Sequence, residues 1–345
     1  MPGPNRLKTK MSNIFKLKSA VWEITLDCCF SCKYCGSGGG KKRDAELSTD
    51  ECIRVVNELS DLGCERVSLI GGEVFLRPDW FSIVRELTSH NIRVCIITNG
   101  FLFTDELINK IKLANVESVA VSLDSTKEVH DKYRQSGSFC RAVEAINRLA
   151  KEGIIVSVIS TLNRESADML EDFLDILQTL PIAAWQIQAC SPMGDAARFG
   201  IDYRFDFSRV IDFVSRNKDK VSFAMGIADN IGYYTKDEGE LRGNNISFFT
   251  GCKAGLSNIG IDCEGNVTGC ESLKDDKFIE GNLREKSLAD IWNDENAFFY
   301  NRKFRAEFLS GKCASCKMGP YCAGGCRSYN YFVHNKLYES PFCAG

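Results

Sequence analysis

From residue 20 to about 190 the chain alternates short β-branched runs with helical periods, and this rhythm restricts its architecture more than any other feature. The runs VWEITL (21–26), RVSLIGG (66–72), RVCIITNG (93–100), SVAVSLD (118–124), IIVSVIST (154–161) and AAWQIQA (183–189) read as strands. Between them apolar residues recur at helical spacing over 49–62, 79–90, 104–114, 138–152 and 165–179. Ser48, with Glu51 three residues on, forms a capping box ahead of the first helix, and Gly63 and Gly153 stand where helices should stop. Strands joined through single helices pair in parallel, because only a crossover returns the chain in the same direction. Six strands with five intervening helices predict an α/β fold, a partial (β/α)6 TIM-like barrel rather than a closed eightfold one. Functional groups on such a scaffold gather at the carboxyl ends of the strands. That face should receive the loop after the first strand together with Gly71, Gly72, Glu73, Asn99 and Asp124.

The rhythm divides the chain. Residues 1–19 read as a basic flexible tail, 20–203 as the barrel, 204–247 as a linker with one helix over 204–217, and 248–345 as a small Cys-rich domain. Within the linker, 226–247 reads as irregular. The last segment holds one hairpin candidate, around IDCEGNVTGC, and has too little apolar periodicity for a core of its own. A unit of that kind needs metal or disulfide staples.

Composition narrows the chemistry. With a net charge of −3, no global field draws the chain to nucleic acid or to anionic lipid. The tail carries Arg6, Lys8, Lys10, Lys16 and Lys18 but no apolar h-region, which argues against a signal peptide or anchor. No run approaches the ~18 apolar residues of a membrane span. A cytoplasmic protein is expected, and there thiols stay reduced. Seventeen cysteines, an odd number, are therefore read as metal ligands plus buried fillers, the fillers being Cys52, Cys64, Cys95, Cys140 and Cys190.

The densest thiol stretch is CCFSCKYC (28–35), spaced Cys28-x3-Cys32-x2-Cys35. Three thiolates on a loop can hold a cubane iron–sulfur cluster by three of its four irons, leaving one corner for an exogenous ligand. An open coordination position marks catalysis, whereas a closed one marks structure or electron transfer. Cys29, Cys32 and Cys35 would form a second possible triad. On Cys28-x3-Cys32-x-Tyr34-Cys35 after the first strand, and GGE (71–73) after the second, the chain resembles the radical S-adenosylmethionine (SAM) family. The resemblance implies a [4Fe-4S] cluster on Cys28, Cys32 and Cys35 whose fourth iron chelates SAM. Reductive cleavage then yields methionine and a 5′-deoxyadenosyl radical that abstracts a substrate hydrogen. It further implies that Gly71, Gly72 and Glu73 meet the SAM ammonium and Asn99 the adenosine. Ser122 and Asp124 would serve ribose or carboxylate contacts, Arg134 the methionine carboxylate, and the Tyr34 ring would lie against a flat ligand.

The C-terminal cysteines read Cys252-x12-Gly265-x4-Cys270, then Cys313-x2-Cys316-x5-Cys322-x3-Cys326, and finally Cys343. This spacing resembles the SPASM extension of many radical SAM enzymes, so the resemblance covers nearly the whole chain after residue 20. It implies two auxiliary iron–sulfur clusters: a nearer one on Cys252, Cys270 and Cys326, and an outer one on Cys313, Cys316, Cys322 and Cys343. Cys263, an open iron or a ligand from elsewhere completes the nearer set. The competing reading is a zinc ribbon.

Two further clusters suit net oxidations, in which an electron leaves the substrate after hydrogen abstraction and a proton goes to a base. Glu271, directly after Cys270, is the base candidate; an exposed hairpin carboxylate is the plainer reading. The resemblance points to a ribosomal peptide or protein as substrate, oxidised, cross-linked or spliced. It also points to a flavodoxin- or ferredoxin-type electron donor and, with about twenty residues before the first strand, to a separate leader-peptide recognition protein. The alternative is a small molecule such as an aminoglycoside, dehydrogenated or epimerised. A pure electron carrier would lack the GGE stretch and the three-thiol motif.

Overall fold

In the computed structural model, residues 15–235, 238–242 and 248–345 are described. Most of the basic tail and part of the 226–247 connection fall outside them. Seven strands run parallel in chain order: β1 (Ser19–Glu23), β2 (Arg66–Ile70), β3 (Arg93–Thr98), β4 (Ser118–Ser122), β5 (Val156–Leu162), β6 (Ala184–Ala189) and β7 (Ala224–Ile227). Between β1 and β6 lie α1 (Thr49–Asp61), α2 (Trp80–Ser89), α3 (Asp105–Leu113), α4 (Lys127–Tyr133), α5 (Ser138–Lys151), α6 (Arg164–Asp168) and α7 (Leu170–Leu177). The six expected strands are present, and β7 extends the sheet by one.

Strand alternation separates core from site. Trp22, Leu69, Ile96, Val121, Val158 and Ile187 are buried against the helices. Their neighbours Val21, Ile70, Ile97, Ser122, Ile159 and Gln186 face the opposite way and line one cavity. A period of two produces both surfaces from the same strands.

The capping box of α1 forms as the sequence indicates: Ser48 Oγ accepts from Glu51 N at 3.3 Å, and Ser48 N donates to Glu51 Oε2 at 2.7 Å. Gly63 and Gly153 sit at positive φ just past α1 and α5. The helix expected over 165–179 is two pieces, α6 and α7, parted at Met169. The helix expected from 204 begins at Phe207, because Asp206 caps it by accepting from Ser208 N at 2.9 Å.

The C-terminal segment does not stand apart from the sheet. Strand β8 (Asn258–Ile261) pairs in parallel with β1, opposite β2, in the register Ser19 to Asn258. Strands β9 (Asn266–Thr268) and β10 (Gly281–Asn282) continue antiparallel, giving the order β10-β9-β8-β1-β2-β3-β4-β5-β6-β7. The hairpin around IDCEGNVTGC is thus β8–β9. Ile259, Ile261, Trp292 and Phe298 join the main core, so part of this segment borrows the barrel's apolar surface. No helix among the described residues is long and apolar enough to cross a membrane.

Candidate functional site

The cysteine loop leaves the end of β1 and folds across the mouth of the sheet. Local hydrogen bonds hold it: Gly40 N donates to Leu26 O at 2.9 Å, Lys33 N to Tyr133 O at 2.8 Å, and Asp195 N to Cys35 O at 3.0 Å. Cys28, Cys32 and Cys35 line a cavity of about 390 Å³ together with Gly71, Gly72 and Asn99. Cys29 is not among the lining residues; its sulfur accepts from Asn99 Nδ2 at 3.4 Å instead. The cavity therefore presents the Cys28-x3-Cys32-x2-Cys35 set.

Among the described residues no three or more His, Cys, Asp or Glu side chains close round one ion-sized point. A tetrahedral zinc site requires four donors within about 2.3 Å of a single ion. A cubane with one open corner takes three thiolates, and Cys28, Cys32 and Cys35 on the cavity wall supply that number. Burial pushes the Cys32 thiol up to about 11 and Cys270 up to about 12. Ligation would displace those protons, since the thiolate is the ligand.

Gly71 and Gly72 are required first by the protein itself. A Cβ on either would come closer than 3.0 Å to backbone atoms, Thr25 at Gly71 and both Leu26 and Asp27 at Gly72. The chain after β2 passes directly over the chain after β1, with Gly72 N donating to Thr25 O at 2.8 Å and Glu73 N to Asp27 O at 2.7 Å. This close crossing brings the cysteine loop and the GGE stretch to one wall. Gly72→Ala is expected to cost about 1–3 kcal/mol by overpacking, read as a lower urea midpoint; an unchanged midpoint would show that the crossing yields easily.

Glu73 and Asp124 do not line the cavity; they hold residues that do. Glu73, 1% exposed, accepts from Thr98 Oγ1 at 2.8 and 3.0 Å and from Asn99 N at 2.9 Å. Burial pushes its carboxyl up to about 7. Asp124 is buried as well and accepts from the Tyr34 hydroxyl, from Arg134 Nε and Nη2, and from Thr161 N at 2.9 Å. Burial alone would raise its pKa, but the Arg134 guanidinium keeps it below the ordinary range. Arg134, Tyr34 and Ser122 remain on the cavity wall, with the guanidinium 5.6 Å from the Tyr34 ring centre.

The C-terminal segment closes the cavity with Cys270, Glu271 and Ser272. Lys274 Nζ lies 2.8 Å from Glu271 Oε1 and 2.7 Å from Glu23 Oε2, tying the segment to β1. Burial raises Glu23, and on Lys274 the two carboxylates outweigh burial and raise its pKa. Burial pushes the Cys326 and Cys322 thiols up, and neighbouring sulfurs add to the rise, Cys252 and Cys270 at Cys326, and Cys313, Cys343 and Cys316 at Cys322. Cys263 has Glu23, Glu46, Asp262 and Glu264 about it and joins neither. Of the expected fillers, Cys52, Cys64 and Cys190 are buried and Cys95 half-buried, but Cys140 is exposed on α5.

Sequence reading missed four further residues of the cavity wall: Thr161, Gln186, Gln188 and Met193, the last packed against Gly36 of the cysteine loop. It also missed Glu23 and Lys274. A signal existed, since Gln186 and Gln188 alternate with Trp185 and Ile187 in a strand otherwise apolar, and Glu23 interrupts an apolar run.

Comparison with known proteins agrees with this geometry. The Radical SAM superfamily model matches residues 22–177, and an iron–sulfur cluster-binding domain model, SPASM, matches 252–317. Over 319 residues the chain is 30% identical to mycofactocin maturase MftC of Mycolicibacterium smegmatis, covering 91% of this chain and 79% of that one. Over 337 residues it is 28% identical to an AdoMet-dependent heme synthase of Methanosarcina barkeri, covering 94% and 95%. The fold is similar to Streptococcus suis SuiB crystallised with S-adenosylmethionine, at TM-score 0.76 and 18% identity over 96% of this chain and 78% of that one. SuiB has also been crystallised with its precursor peptide SuiA.

Proposed function

The chain belongs to the radical SAM superfamily, an enzyme using S-adenosylmethionine and iron–sulfur clusters with a SPASM segment, and from that premise we propose that it modifies a ribosomal peptide or protein by hydrogen abstraction. Cys28, Cys32 and Cys35 hold the SAM-binding cluster, which when bound and reduced supplies the electron that cleaves SAM to the 5′-deoxyadenosyl radical. Gly71, Gly72, Asn99, Ser122, Tyr34 and Arg134 shape the pocket for SAM, and Glu73 and Asp124 fix the residues that touch it. Cys252, Cys270 and Cys326 hold the nearer auxiliary cluster; Cys313, Cys316, Cys322 and Cys343 hold the outer one. An external flavodoxin- or ferredoxin-type donor supplies electrons, and a separate protein recognises a leader peptide.

The observation that supports a peptide over its rivals is the charge of the cavity. Among the described residues only Arg134 and Glu271 on its wall are charged, and each is paired, with Asp124 and Lys274 respectively. A porphyrin such as heme carries acid side chains, and an aminoglycoside carries several ammonium groups. The amino and carboxylate groups of SAM would be met by the open iron, whereas the further charges of either rival would find no unpaired counter-charge on the wall, an expensive burial. Thr161, Gln186 and Gln188 instead offer neutral donors and acceptors suited to amides. Mass spectrometry of candidate precursor peptides co-expressed with the enzyme tests the reading: a loss of two hydrogens or an excised fragment supports it. Turnover of a porphyrin or aminosugar, with every peptide untouched, would overturn it.

Glu271 takes the proton in this scheme. Its position on the cavity wall, braced by Lys274 and through it by Glu23, supports this role. Glu271→Gln keeps the shape and removes the base. We expect 5′-deoxyadenosine to keep forming while modified product falls by on the order of 10²-fold; equal loss of both would assign Glu271 to SAM binding instead.

A further inference from the structure

Cys322 and Cys326 stand four positions apart, yet they are assigned to different auxiliary clusters. Their surroundings already differ: Cys322 packs in a buried group with Tyr233 and Phe249, whereas Cys326 packs against the main core. The side chain lying against the turn between them is Tyr233, on the connection after β7. A Cβ on Gly325 would come within 2.5 Å of Tyr233 Cε2 and 2.8 Å of Cζ, so the phenol ring rests directly on the backbone that separates the two cysteines. Gly325 has φ +87°, and its N donates to Cys322 O at 2.9 Å to close the turn. Glycine is required there twice, for a left-handed backbone and for the ring's approach.

Tyr233 reaches both cysteine sets. Its hydroxyl accepts from Cys326 N at 2.8 Å and donates to Asp229 O at 2.7 Å. Its carbonyl oxygen lies 3.9 Å from Cys343 Sγ, a second member of the outer set. The ring centre is 4.6 Å from that of Phe249, and the Arg242 guanidinium stands 5.5 Å from it. The residue is 3% exposed, so its ring cannot swing away without opening the packing.

We propose that Tyr233 is a positioning residue shared by the two auxiliary clusters: its ring seats the Cys322–Cys326 turn while its hydroxyl holds the Cys326 backbone. The inference rests on the division that gives Cys326 to the nearer cluster and Cys322 and Cys343 to the outer one. Moving the ring moves a ligand of each cluster. The hydroxyl acts on the nearer one alone, by occupying a Cys326 N–H that is otherwise free to bond a cluster sulfur. Hydrogen bonds to the sulfurs are among the factors that set a cluster's potential.

The test uses the full chain, reconstituted anaerobically with iron and sulfide, and follows electron paramagnetic resonance during a redox titration. The signal of the cluster on Cys28, Cys32 and Cys35 is the internal control. Tyr233→Phe keeps the ring and frees the Cys326 N–H, so the nearer midpoint should rise while the outer one stays. Tyr233→Leu removes the ring as well, and both auxiliary midpoints should move while the control holds. A merely structural role lowers the urea midpoint of both variants and leaves every potential in place, which would overturn the proposal; so would a Tyr233→Leu variant that moves one auxiliary signal only. Should Tyr233→Leu fail to fold, Tyr233→Phe decides: a raised nearer midpoint supports the proposal, and an unmoved one overturns it. Cys326→Ala and Cys316→Ala identify the nearer and outer signals. If these two substitutions alter the same signal, the division of the cysteines fails, whatever Tyr233 does.

Discussion

Cys32→Ala is expected to reduce 5′-deoxyadenosine formation to the level seen without enzyme. Cys32 sits in the middle of the loop, its thiol buried beside Arg134 and Cys35 and facing the cavity shared with Gly72 and Asn99. With three thiolates proposed to hold three irons, none is spare, and alanine would leave an iron without a protein donor. The substitution removes little volume, so the fold should survive, supported by a core that lies on the other face of the strands. Iron content should fall by one cluster while two remain, and the protein should stay brown. Anaerobic incubation with SAM and dithionite, followed by chromatography of the nucleoside products, gives the readout. Formation of 5′-deoxyadenosine by the variant would move the catalytic cluster away from both triads this loop offers, since Cys32 belongs to each.

Cys316→Ala should do the reverse, sparing SAM cleavage and abolishing product. Cys316 is exposed, just past the short helix Gly311–Ser315, whereas Cys313 and Cys322 of the same group are buried. It belongs to the segment farthest in sequence from the SAM-binding loop and lines no part of the central cavity. Its loss should therefore leave Cys28, Cys32 and Cys35 and their pocket untouched. On the proposed assignment it removes one corner of the outer cluster, and with it the route by which an electron would leave the substrate. The expected signature is uncoupling: 5′-deoxyadenosine accumulates near the unaltered rate without modified peptide. Retained product formation would show that the outer cluster is structural only.

Much of this was legible in the sequence because strand and cluster motifs are local. The six strands, the Ser48–Glu51 box and the cysteine spacings each need only a few neighbouring residues. What was not legible depends on contacts between distant segments. Gly71 and Gly72 looked like ligand-facing glycines, yet backbone atoms of Thr25, Leu26 and Asp27 already demand them. Glu73 and Asp124 looked like direct contacts, but both are braces behind the wall, a distinction that depends on side-chain direction. The break falls at Met169, whose backbone (φ −99°, ψ 14°) leaves the helical range between α6 and α7, and helical periodicity across 165–179 conceals it. Glu23 with Lys274 could not be paired from sequence, because they stand 251 positions apart.

The pairing of β8 with β1 carries a cost in biogenesis. As the chain emerges from the ribosome, the first strand appears early, but its outer neighbour begins only at Asn258. Until then one flank of that strand is an unsatisfied row of amides and carbonyls, a template for wrong partners. Pairings this distant in sequence form slowly and leave nascent intermediates prone to aggregate. The segment from Asn258 onward thus completes the scaffold begun by β1, and any cluster held by its cysteines must wait for it.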